Sequence, residues 1–134
     1  MALSYRTSLR NTMLQALADD VGTSGILRIY SGSVPADITV ALAGQAVLAE
    51  ITCNASQFGT ISGGVLTVSA TTQDSSANTT ATPTFFRVFK SDGTTAVLQG
   101  SASVGSGDLN LSSSISVGQT VDLTSWTITE GNGG

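Results

Sequence analysis

The sequence predicts a mainly β fold, a small β-sandwich or partly open barrel of about six or seven antiparallel strands with one N-terminal α-helix. Three observations carry this expectation. From residue 25 onward, short apolar or alternating segments recur, each bounded by Gly, Ser, Asp or Pro. The chain holds 19 Ser, 19 Thr and 15 Gly, a composition suited to β-strands and turns. Helical periodicity occurs once, at the N-terminus.

That helix is expected over residues 4–21. Ser4 is a suitable N-cap, and Leu9, Met13, Leu17 and Val21 recur every four residues, with Tyr5 one turn earlier on the same stripe. Gly22 is a natural residue to end it. Asp19 and Asp20 sit at the negative end of the helix dipole, a mildly unfavourable place for acids. Two roles are open to such a helix. It is either a lid on one face or edge of the sheet, or an arm that docks on another subunit.

Ile26–Tyr30 (ILRIY) reads as a first strand closed by Ser31-Gly32-Ser33. Residues 35–44 suggest a helical turn crossing the surface. In Val47–Cys53, alternation puts Val47, Ala49, Ile51 and Cys53 on one face and Leu48, Glu50 and Thr52 on the other. Gly63-Gly64 precedes a strand over 65–72, with Leu66, Val68 and Ala70 facing one way and Val65, Thr67 and Ser69 the other. Residues 73–82 form a polar loop.

The strongest strand, Thr84–Lys90 (TFFRVFK), is followed by Ser91-Asp92-Gly93-Thr94 and a returning strand over 95–102, so 84–102 is expected as a β-hairpin. A Gly/Ser loop at 105–108 leads to Leu109-Asn110-Leu111, and the last strand is expected over 119–129. The length of 134 residues fits one domain, with helix or docking arm at 4–21, β body at 25–129 and a frayed tail at 130–134.

Composition excludes many chemistries. With no His, the chain lacks the commonest general acid/base, and with one Cys it can form neither an internal disulfide nor a Cys-based metal site. One Lys and four Arg in a chain of net charge −4 cannot form the basic stripe that nucleic-acid binding requires. No apolar run approaches the roughly 20 residues of a membrane-spanning helix. A lone Cys53 agrees with a reducing compartment.

Asp108-Leu109-Asn110 and Asp92-Gly93 are fragments of calcium-loop chemistry without the remaining ligands, and both read as turns. Glu50 and Asp122 are acids of the kind glycosidases pair, but no pattern brings them together. The expectation is therefore no catalytic residue, no cofactor site and no metal site.

The informative strand is 84–90, apolar on both faces: Phe85, Arg87 and Phe89 on one, Phe86, Val88 and Lys90 on the other. Arg87 between two Phe rings permits cation–π contact. It reads either as a buried residue paired with a carboxylate such as Glu50 or Asp122, or as an interface anchor. Candidate interface residues are Tyr5, Leu9 and Met13 on the helix, Phe85, Arg87 and Phe89 on this strand, and Trp126. Trp126 and Tyr30 are also candidate sugar-stacking rings.

Four segments, in order along the chain, carry a resemblance: LRIYSGSVPAD at 27–37, VLAEITCNA at 47–55, TFFRVFKSDGTTAVLQGSAS at 84–103 and VDLTSWTIT at 121–129. Together with the Arg-containing N-terminal helix, they resemble small virion structural proteins of tailed bacteriophages. The resemblance implies a non-enzymatic structural protein repeated many times on the virion, made in the bacterial host cytoplasm. Capsid decoration (cement) proteins, which sit between capsomers and are often trimers, are one such group. The partners implied are the major capsid protein, other virion proteins and further copies of the chain, with no nucleic acid and no membrane. No set of functional residues carries over. The other reading is a tail-associated or adhesin-type β domain binding a cell-surface glycan or protein.

Overall fold

The helix is set by the face it buries. In the computed structural model, which describes residues 5–53, 59–69, 80–104, 109–111, 115–118 and 125–129, α1 spans Thr7–Val21. Ser4, the expected cap, lies outside the described residues. Arg6 takes the cap position without a capping side chain, and the Gly22 amide closes the other end on the Ala18 carbonyl at 3.0 Å. The buried stripe is Leu14, Ala18 and Val21 rather than Leu9, Met13, Leu17 and Val21. Leu9 is 42% exposed. Four-residue spacing drifts around a 3.6-residue helix, so one straight row of apolar residues cannot all face one core.

This stripe packs into its own chain's core, so α1 acts as a lid on the β body. Its Asn11 side chain accepts a hydrogen bond from the Gly64 amide at 2.7 Å. At its C-terminal end, Lys90 pairs with Asp20 at 3.2 Å, offsetting the unfavourable placement of that acid near the helix dipole.

The β body is a sandwich-like pair of sheets containing eight strands among the described residues: β1 Ile26–Tyr30, β2 Val47–Thr52, β3 Gly59–Ser62, β4 Val65–Ser69, β5 Phe85–Phe89, β6 Ala96–Val104, β7 Leu109–Leu111 and β8 Ser125–Thr129. The five-stranded sheet has the order β2-β1-β5-β6-β7 and the three-stranded sheet β3-β4-β8. No ladder joins the two sheets among the described residues, which makes a sandwich a better description than a barrel.

Most pairings are antiparallel, as expected, but β6 and β7 run parallel. The 84–102 hairpin forms, its turn closed by the Gly93 amide on the Lys90 carbonyl and the Lys90 amide on the Thr95 carbonyl, both 2.9 Å. Strand β3 was not expected. It pairs with β4 across a two-residue turn in which Gly63 and Gly64 both have positive φ, 61° and 79°, the geometry that matches the twist of paired strands. Residues 119–124 and the 105–108 loop lie outside the described residues.

The alternation read from Val47–Cys53 holds only in part. Ile29 pairs with Ala49 but Tyr30 pairs with Val47, so β2 carries one extra residue there. This bulge turns both Leu48 and Ala49 into the core and leaves Val47 on the outer face. Between β1 and β2, residues 35–44 form no helix. A single turn, the Val40 amide on the Asp37 carbonyl at 3.2 Å, stands in its place.

The main core lies between the sheets and beneath α1. Leu27, Ile29, Leu48, Ala49, Ile51, Phe86, Val88 and Ala102 of the large sheet meet Leu66 and Val68 of the small one and the helix stripe. Burying each large side chain contributes about 1.5–3 kcal/mol. A second cluster, Tyr30, Phe85 and Phe89, lies on the opposite face of the large sheet.

Candidate functional site

That second face is where the sequence placed its sharpest candidates. In β5 all five residues are buried, including Arg87 at 4% exposure. A strand in the middle of a sheet, apolar on both faces, can only be satisfied if both faces are covered. The inner face meets the core. The outer face is covered by residues 31–46, the segment between β1 and β2, here called the strap.

The strap is held by side chains of the sheet. Arg87 Nη2 donates to the Val40 carbonyl at 2.7 Å and the Asp37 carbonyl at 3.3 Å, while its Nε donates to Gln99 Oε1 at 2.8 Å. Gln99, directly opposite Arg87 in β6, donates through Nε2 to the Pro35 carbonyl at 3.1 Å. Thr84 Oγ1 donates to the Gly32 carbonyl at 2.9 Å. At the strap's base, Gln45 donates to the Ser33 carbonyl and accepts from the Ala43 amide, at 2.8 and 2.6 Å.

Arg87 therefore bonds to neutral oxygens, and the expected carboxylate partner Glu50 is engaged elsewhere. Glu50 Oε2 lies 2.7 Å from Arg28 Nε. Asp122 lies outside the described residues. The cation–π contact with Phe89 is made by the other arginine: the Arg28 guanidinium carbon sits 4.9 Å from the Phe89 ring centre. Sequence reasoning missed Arg28, whose position three residues before a Ser-Gly turn carried no distinctive signal.

Tyr30 stacks on Phe85 with ring centres 4.9 Å apart and planes 9° from parallel, and only 2% of it is exposed. Burial pushes its phenol pKa up, with nearby Arg28 opposing the shift. The glycan-binding reading needed Tyr30 and Trp126 displayed together; Tyr30 is not displayed. Trp126, in β8, pairs with Val68 of β4, and its side chain lies outside the described part of the structure.

Phe85, Arg87 and Phe89 are brought together on one face of the sheet but are buried within the chain rather than displayed. Tyr5 and Met13 are half-buried and Leu9 is exposed, all on the helix side of the molecule rather than the strap side. Val34 and Val40 of the strap, 53% and 41% exposed, are apolar surface that the sequence reading did not single out.

Two surface acids serve turns. The Thr39 hydroxyl, followed by the Thr39 amide, holds the Asp37 carboxyl below its ordinary pKa, and Thr95 with the Thr94 amide holds Asp92 well below the usual carboxylate range. Among the described residues, no group of three or more His, Cys, Asp or Glu is placed to hold a metal ion. Among the described residues, no helix is long and apolar enough to cross a membrane.

Comparison with known proteins finds no match for the chain among protein-family models, curated proteins or solved structures.

Proposed function

We propose that the chain is a non-enzymatic structural component of a tailed-phage virion, a capsid decoration protein that reinforces the shell. In this reading it sits between capsomers, contacts the major capsid protein and further copies of itself, and works as a trimer. The observation that carries the reading is the in-order resemblance of the segments at 27–37, 47–55, 84–103 and 121–129 to small virion structural proteins.

The chemistry of the body supports it. Arg28 and Arg87 have partners that tie strands to loops, and Asp37 and Asp92 stabilise turns. Such a body suits repeated contact better than turnover, since many weak contacts summed over a lattice stabilise a shell through avidity.

Purified protein mixed with expanded, undecorated capsids of its phage should sediment with them and raise the melting temperature of the shell. Failure to bind those capsids overturns the proposal. Light scattering tests the trimer separately.

A further inference from the structure

The strap is attached to the sheet in an unusual way. Of residues 31–46, Pro35 alone is buried, and Ile38 and Leu42 are half-buried. It is held on the large sheet by the Arg87 and Gln99 side chains, which together engage three of its carbonyls, those of Pro35, Asp37 and Val40, by the Thr84 hydroxyl on the Gly32 carbonyl, and by Leu42 packed on the aromatic cluster. Its Leu42 packs on the cluster of Tyr30, Phe85 and Phe89, which are 2%, 0% and 5% exposed, with Arg28 over the Phe89 ring.

Both ends of the strap are built to turn. Gly32 and Gly44 have φ of 98° and 85°, conformations that side-chain-bearing residues rarely adopt, and nothing lies within 4 Å of where a Gly44 Cβ would stand. The adjoining residues are tied together, the Ser31 amide donating to the Ala46 carbonyl at 3.0 Å, so the base stays closed when the middle moves.

We infer that residues 33–43 form a latched lid that lifts from the sheet as a unit between Gly32 and Gly44 while the sandwich stays folded. Arg87 and Gln99 are its latch, and the Tyr30–Phe85–Phe89 face is what it uncovers. The polar side of the balance favours a low opening cost. Lifting returns the strap carbonyls to water and hydrates a buried guanidinium that has no carboxylate within bonding distance among the described residues. The aromatic floor opposes it, since its exposure is what keeps the lid shut. A segment with few buried apolar contacts and exposed backbone opens locally before the whole molecule unfolds.

Native-state hydrogen exchange tests this. The Thr39, Val40 and Ala43 amides bond to Asp37 and Gln45 and keep those bonds when the lid lifts, so the reporters are the latch protons, Arg87 Nε–H and Gln99 Nε2–H, against the amides of β1 and β5. Relative to their unprotected rates, the latch protons should be protected about a hundredfold or more less than the sheet amides, and with a much weaker dependence on urea. Arg87→Met should speed Gln99 Nε2–H and the sheet amides by the same factor, because the latch is lost in both lid opening and global unfolding. Val68→Ala, remote from the strap in the small sheet, should speed the sheet amides alone. Latch protons with the protection and urea dependence of the sheet overturn the inference, and so does equal acceleration of latch and sheet by Val68→Ala. The comparison in the unaltered protein stands even if a variant fails to fold.

Discussion

Arg28 and Arg87 stand directly opposite each other on β1 and β5, on the same face of the sheet, yet their guanidinium groups go separate ways. Arg28 reaches Glu50 at 2.7 Å and the Gly93 carbonyl at 2.9 Å, toward the hairpin turn. Arg87 reaches Gln99 and the strap. Like charges opposite one another on adjacent strands destabilise a sheet. Here Glu50, which is paired with Arg28 in register on β2, supplies the compensating charge.

Glu50→Gln should therefore remove both an ion pair and the compensation of the arginine pair. The pair is partly exposed, its side chains 25% and 46% accessible, so the loss should be about 0.5–1 kcal/mol. Urea unfolding at low and high salt checks it. The difference between variant and parent should shrink as salt rises, and a salt-independent difference would point to lost packing instead.

Arg87→Ala should lower the stability of the isolated protein by about 2–4 kcal/mol, through lost stem packing and an unpartnered Gln99 amide oxygen. Denaturant unfolding of the isolated chain measures it. An unchanged midpoint would mean that Arg87 does not anchor the strap in solution.

The rotated helix stripe separates two leucines that look alike in the sequence. Leu14, 1% exposed, should cost about 3 kcal/mol when truncated to Ala, whereas Leu9→Ala should change stability by less than about 0.5 kcal/mol. Thermal melts of the two variants decide between this packing and the Leu9–Met13–Leu17 stripe, which would reverse the order.

The buried Cys53 thiol is pushed up by burial from 9.0 to about 11. Between those values the unfolded chain loses a proton that the native protein keeps, so stability falls as pH rises through this range. The loss should reach about 2 kcal/mol near the upper end. Tyr30, raised in the same direction, adds to the decline above its ordinary value of 10.0. Cys53→Ala should flatten the alkaline limb of a stability–pH curve measured by urea unfolding; parallel curves would assign the decline to other groups.

Much of this fold was legible in the residues. The 84–102 hairpin follows from TFFRVFK and the Asp-Gly turn, and the end of α1 from Gly22, because strand propensity, turn chemistry and helix termination act over a few neighbouring residues. The burial of β5 on both faces was equally readable as one of two outcomes. Strand β3 had its signal in the Gly63-Gly64 pair, which specifies a two-residue hairpin turn and hence a strand on each side.

Other features depended on contacts between distant parts of the chain. Alternation in Val47–Cys53 could not reveal that a bulge against β1 would send Leu48 and Ala49 the same way, since the extra residue exists only relative to a partner strand. Nor could spacing assign Glu50 to Arg28 rather than Arg87, two cations that become neighbours only when β1 and β5 pair. By itself the sequence determined a mainly β chain with one helix, poor in charge, and with an aromatic strand that had to be covered. Tertiary structure decided what covers it: a strap whose carbonyls meet Arg87 and Gln99 across more than 45 positions of sequence, a match that local propensity does not encode.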